Sequence, residues 1–213
     1  MEKKCVVFDF DCTITYTHYY QFLFGYTDWV IKHANRKFDE RIPDLREISN
    51  AIRDYRLPEL EPLKNILEQI NPDYEELLIK YIMGSRERLN EINRMMETFH
   101  DKGYDIFIAS RGYSYLIGLL VNLFEIPYIK QIYGMPMDKS IPYISKEYRL
   151  EELFLNGYTK ILYTDDDPAE GSAFIRIIKQ KNYELDYQFM PLSRDGKGLS
   201  RPSILFLLNK TNE

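Results

Sequence analysis

At 213 residues and 45% hydrophobic content, the chain has enough apolar surface for a full core and an inserted subdomain, which excludes a largely disordered polypeptide. Its net charge of -5 argues against a general nucleic-acid coat, so any anion site must be local. The only two cysteines, Cys5 and Cys12, are too close for a disulfide framework and point to a reducing, cytoplasmic setting. A signal peptide is not expected, because Asp9 interrupts the first apolar run, and "YLIGLLVNLFEI" is broken at Asn122 and Glu125 before it reaches membrane-span length.

In chain order, "CVVFD" (5–9) is a short continuous apolar run, the pattern of a strand buried on both faces. Residues 16–85 break the rhythm that follows: they are helical in pattern, rich in Tyr and Phe, and interrupted by Pro58, Pro62 and Pro72. They are expected to form a helical insertion, leaving 1–15 and 86–213 as the core. From there helix and strand alternate. "RERLNEINRMMETFHDKG" predicts a helix ending at Gly103, and "YDIFIAS" (104–110) a second buried strand. "SYLIGLLVNLFE" predicts a helix leading to Pro127, and "YIKQIYG" (128–134) a weaker strand. "KEYRLEELFL" reads as a helix stopping at Asn156-Gly157, followed by strand "KILYT" (160–164) and a weaker "YQFMPL" (187–192). Strands separated by helices imply an α/β fold with a doubly wound parallel sheet, and the insertion would stand over its carboxyl edge, where such folds bind ligands.

That edge collects acid. Alternate residues of a strand point the same way, so Asp9 and Asp11 are expected to crowd together where the strand leaves the sheet. "TDDDPAE" would bring Asp165, Asp166 and Asp167 to the same edge. Carboxylates about 4 Å apart repel by about 4 kcal/mol at an effective dielectric of 20, so such a cluster calls for a cation. Oxygen donors without a histidine cluster suit a hard ion, and Mg2+ is the natural choice beside phosphate. Ser110, followed by Arg111 and Gly112 at a strand-to-helix turn, offers a hydroxyl and backbone N–H groups to an anion, although alone Ser110 reads as a helix N-cap. Lys146 opens a helix against the macrodipole, which favours a functional reason for it.

Taken in order, these features resemble the haloacid dehalogenase (HAD) superfamily of phosphohydrolases. "DFDCT" is similar to the family's D-x-D-x-T, with Asp9, Asp11 and Thr13 in place; Ser110 matches the hydroxyl after the second core strand, Lys146 the lysine (Lys139 being the alternative), and "TDDDPAE" the acidic motif. The insertion resembles a helical C1-type cap. Two departures stand out: Cys12 where the family commonly has Gly, and Thr164-Asp165 where it has Gly-Asp. The second acidic carboxylate is left open between Asp166 and Glu170. A cysteine phosphatase would need an arginine six residues beyond Cys12, and His18 stands there, so Cys12 is read as a small turn residue.

The resemblance implies a Mg2+-dependent phosphatase forming an aspartyl phosphate on a small phosphorylated metabolite. Asp9 would be the nucleophile, Asp11 the acid/base, and Ser110 and Lys146 the holders of the phosphoryl oxygens. Thr13, Arg111 and Gly112 would line the substrate site, and Asp9, Asp11 (through its carbonyl), Asp165 and Asp166 the metal site. A phosphoprotein or nucleic-acid-end phosphatase, and a silent binding module, are the alternatives. In the insertion Tyr19, Tyr20 and Trp29 are specificity candidates, and "PLSRDGKGLSR" with Arg194, Lys197 and Arg201 reads as a solvated turn.

Overall fold

The structure is a computed structural model that describes residues 2–19, 23, 44–192 and 198–212. Tyr20, Trp29, Arg194 and Lys197 lie outside the described residues.

Strand β1 (Lys3–Phe8) lies at the centre because Cys5, Val6, Val7 and Phe8 are apolar on both faces, and all four are wholly buried. It pairs in parallel with β2 (Tyr104–Tyr113) on one side and β4 (Tyr158–Asp165) on the other. With β3 (Ile129–Met135) and β5 (Asp186–Pro191) the described sheet is all parallel, in the order β3-β2-β1-β4-β5. The period of two along β1 sorts the core into halves. Val6 and Phe8 join Ile106, Ile108 and Leu162 on one face; Cys5 and Val7 join Phe107, Ala109, Ile161 and Tyr163 on the other.

Helices from the stretch 44–83 share the first of these clusters. They are α1 (Asp44–Asp54), α2 (Glu61–Ile70) and α3 (Tyr74–Leu78), which runs into a wide turn at Ile79–Met83. Helix α1 presents Leu45, Ile48 and Ile52 at helical spacing, and all are buried in the cluster that holds Phe8 and Phe10. Pro62 sits in the first turn of α2, where its missing N–H costs nothing, while Pro58 and Pro72 lie between helices. Helix α4 (Arg86–Asp101) begins at Ser85, whose hydroxyl accepts the Arg88 N–H at 3.1 Å, and buries Leu89, Ile92, Met96 and Phe99 on the same side of the sheet. Helix α5 (Ser114–Leu123) packs beside it, and α6 (Lys146–Leu155) packs on the opposite face.

Two helices go beyond the sequence reading. α7 (Pro168–Lys181) supplies the crossover between β4 and β5, with the Asp167 side chain accepting the Ala169 N–H at 3.0 Å and Pro168 in the first turn. α8 (Arg201–Asn209) replaces the end of the expected solvated turn, and Arg201 is its exposed first residue. The second strand is also longer than expected: it runs past Ser110 to Tyr113, with a register shift between Ala109 and Tyr113. Helix α5 therefore starts at Ser114, and Ser110 is not its N-cap. Among the described residues, no helix is long and apolar enough to cross a membrane.

Candidate active site

In this strand order the connections diverge between β1 and β4, which opens a crevice beyond their carboxyl ends. Asp9 follows β1, Asp165 ends β4, and the Asp9 N–H donates to the Thr164 carbonyl at 2.9 Å, which ties the two ends together. Carboxylate oxygens of Asp9, Asp165 and Asp166 lie within 4.8 Å of one another. Lys146 Nζ, at the first residue of α6, donates to Asp9 Oδ1 and Asp165 Oδ2, at 2.7 Å each. The lysine is 5% exposed, and burial alone would lower its pKa; Asp9 and Asp165 outweigh that and raise it, so the ammonium stays charged. Burial pushes the Asp9 carboxyl up to about 7, helped by Asp165 and Asp166 and opposed by Lys146. Asp9 and Asp165 thus share one ammonium, with the Asp166 carboxylate beside them.

Asp165 is held from several sides. Its Oδ1 accepts the Asp167 N–H at 2.8 Å, and its Oδ2 accepts both Lys146 and the Tyr163 hydroxyl. Tyr163 was missed in the sequence, although two residues apart on a strand is a same-face spacing that could have identified it.

The expected crowding of Asp9 with Asp11 does not occur. The strand ends at Phe8, and the chain enters a single wide turn, Phe10–Ile14, closed by the Thr15 N–H to the Phe10 carbonyl at 3.0 Å. Cys12 takes a left-handed conformation there, φ 55°, which costs a side-chain-bearing residue about 1 kcal/mol relative to glycine and explains why glycine suits this position. Burial raises the Cys12 thiol far above its ordinary value, in keeping with a turn residue and not a nucleophile. The turn carries the Asp11 carboxylate out of the cluster, to accept the Tyr19 N–H at 2.7 Å with His18 Nδ1 at 3.8 Å. Burial lowers the His18 pKa, and its side chain lies on the cavity wall.

A cavity of about 540 Å³ opens over these groups, lined by Asp9, Asp11, Ser110, Lys146, Asp165 and Asp166, with Arg111, Gly112 and His18 on its wall. The bulged end of β2 places Ser110 in it, 1% exposed, with its hydroxyl accepting the Gly112 N–H at 3.1 Å. Arg111 is an exposed guanidinium paired with buried Glu170. Glu170 also lines this cavity but is paired with Arg111, and Asp166 is the residue that joins the carboxylate cluster. Lys139 is exposed. Thr13 is wholly buried and is not among the residues lining the cavity; its hydroxyl has no partner.

Gly112 is required by packing. A Cβ there would overlap the hydroxyl of Tyr19, whose buried ring is braced edge-on against Phe10 at 5.1 Å. Gly112→Ala is expected to cost about 1–3 kcal/mol, as overpacking does, in urea denaturation with an unchanged m value. A loss under 0.5 kcal/mol would mean that the ring yields freely.

No protein-family model and no curated protein matches the sequence. Among solved structures, the chain is similar to the HAD domain of effector protein Lem4 from Legionella pneumophila, at 18% identity and a TM-score of 0.60, over 100% of this chain and 96% of that one. It is also similar to the effector Ceg4 of the same organism, at 13% identity and a TM-score of 0.53, over 100% of this chain and 94% of that one. The fold is thus the haloacid dehalogenase-like α/β fold, as the motif order implied.

Proposed function

We propose that this protein is a Mg2+-dependent phosphohydrolase that cleaves a small phosphomonoester through an aspartyl phosphate on Asp9. The observation that carries the reading is the cluster of Asp9, Asp165 and Asp166 at the switch point of the sheet, the first two bridged by Lys146. Its donors are all hard oxygens, which fits Mg2+. Asp9, Asp165 and Asp166, with the backbone carbonyl of Asp11, would hold the ion. When bound, Mg2+ supplies positive charge that screens the phosphoryl oxygens from the carboxylates.

The chain's own groups divide the chemistry. An Asp9 carboxylate oxygen attacks phosphorus, forming the acyl phosphate as the bond to the leaving oxygen breaks, and protonated Asp11 gives that oxygen its proton. Asp11 then takes a proton from water, whose oxygen attacks phosphorus, releasing phosphate and regenerating Asp9. Ser110, Arg111 and Lys146 would hold the non-bridging oxygens against the growing charge. The cavity volume falls within the range of small-molecule sites. In the same reading residues 1–15 and 86–213 form the catalytic core and 16–85 a cap over its carboxyl edge, and the protein works in the cytoplasm, where its two free, buried cysteines stay reduced.

The test is a screen of small phosphometabolites and p-nitrophenyl phosphate with and without Mg2+. Phosphate release should require Mg2+, stop on chelation and return on readdition; release undiminished by exhaustive chelation rejects the cofactor. Asp11→Asn separates the roles. It should keep the Mg2+-induced rise in melting temperature, since its carboxylate stands outside the cluster, yet turn over about 10²–10⁴-fold more slowly. Turnover rescued by high Mg2+ would make Asp11 a metal-binding side chain instead.

A further inference from the structure

A half-buried guanidinium lies outside the catalytic cluster. Arg88, in the first turn of α4, donates from Nη1 to the carbonyls of Ile14 (2.8 Å) and Met83 (3.0 Å), from Nη2 to Thr13 (3.1 Å), and from Nε to Leu199 (3.1 Å). All four acceptors are backbone carbonyls, and they come from three separate stretches of chain. Thr13 and Ile14 belong to the catalytic turn, Met83 to the end of the stretch that returns from the insertion, and Leu199 to the segment preceding α8.

The three stretches also bond to one another around the guanidinium. Leu199 N–H donates to the Thr13 carbonyl at 2.8 Å, so that oxygen accepts twice. Tyr16 N–H donates to the Ile82 carbonyl at 2.7 Å, and the Thr17 hydroxyl to the Tyr81 carbonyl at 2.8 Å, so the outgoing and returning chains run side by side. Close approach is built in: at Gly198, φ 61°, a Cβ would collide with the carbonyls of Thr13 and Thr15 and with Arg88 itself. Gly198 and Leu199 thus have a packing role. Burial lowers the Arg88 pKa to about 10, which leaves the guanidinium charged at neutral pH.

We propose that Arg88 is a positioning residue for catalysis: its planar fork fixes the turn that carries Asp11 and Thr13 relative to the returning end of the insertion and to Gly198-Leu199. A lysine ammonium could hold one or two of these carbonyls but could not impose the fixed angles among four. Freed of the fork, the turn keeps its residues but loses the placement of Asp11, and a misplacement of about 1 Å costs about 10²-fold in rate. Asp9 and Asp165 are held by Lys146 and the ends of β1 and β4, independently of the turn.

The experiment compares wild type, Arg88→Lys and Arg88→Met. Hydrogen exchange is read without substrate or metal, so this arm stands independently of the phosphatase reading on which the kinetic arm rests. The amides of Thr15 and Tyr16 should exchange at least about ten-fold faster in both variants, while those of Val6 and Leu162 change by less than about two-fold. On a substrate that the wild type hydrolyses, kcat should fall about 10–100-fold with KM within about three-fold. Unchanged exchange at Thr15 and Tyr16 overturns the proposal. Faster exchange with unchanged kcat also overturns it, leaving Arg88 a brace of the fold alone. Should both variants fail to fold, the wild type decides: the amides of Leu199 and Tyr16 should open with one free energy along a denaturant series, and independent opening of Leu199 overturns the coupling.

Discussion

Asp9→Asn should lose phosphatase turnover by about 10⁴-fold or more while the protein stays folded. The two halves of this expectation have separate causes. An amide oxygen is a poor nucleophile and cannot form the acyl phosphate, so the first chemical step is lost, not slowed by poorer binding. The fold, by contrast, gives up little: the substitution conserves shape, the amide oxygen can still accept from Lys146, and it removes a carboxylate whose ionisation burial already disfavours. Lys146 keeps its 2.7 Å contact with Asp165. The measurement is kcat on p-nitrophenyl phosphate with saturating Mg2+, beside a thermal melt. Turnover close to wild type in the folded variant would remove Asp9 from the mechanism and point to direct attack by water.

Lys146→Met should be the most destabilising change in the site, by about 3–5 kcal/mol at pH 8, because it leaves two buried carboxylates facing each other without their shared ammonium. The sign of its pH dependence follows from Asp9. With Lys146 present, burial already pushes that carboxyl up to about 7, well above its unfolded value, and without Lys146 it rises further. A carboxyl whose folded pKa is raised binds its proton more tightly in the native state, so stability is lost as pH climbs through the window between the unfolded and folded values. The deficit against wild type should therefore shrink from pH 8 to pH 5. Mg2+ should also recover part of it at pH 8 by supplying the missing charge. Urea denaturation at the two pH values, with and without Mg2+, reads all of this. A deficit that grows on acidification would mean that the carboxylates are not the source of the cost.

How far the site can be read ahead of the fold depends on the kind of signal each part carries. Asp9, Ser110, Lys146 and Asp165 are legible because each stands beside an apolar strand or a helix start, and parallel strands bring their carboxyl ends to one edge. The relation of Asp9 to Asp11 is not legible. A two-residue spacing means one face only while the chain stays extended, and the left-handed step at Cys12 ends that. The same limit hid the bulged end of β2, since nothing in "SRGY" says whether those residues leave the sheet or continue it. It also left the choice between Asp166 and Glu170 open, because that choice turns on Arg111, 59 residues from Glu170 in the chain, being close enough to pair with it.

By itself, then, the order of apolar runs, helix stops and acidic strand ends determined the α/β class, the parallel sheet and the edge at which the carboxylates gather, because periodicity and strand direction are local properties of a chain. Tertiary structure alone decided that Lys146 bridges Asp9 and Asp165, that Glu170 answers Arg111, and that Arg88 collects carbonyls from residues 13, 14, 83 and 199. Those contacts join residues far apart in sequence through a side-chain reach of a few ångströms, and a backbone carbonyl carries no identity in the sequence by which its partner could be foreseen.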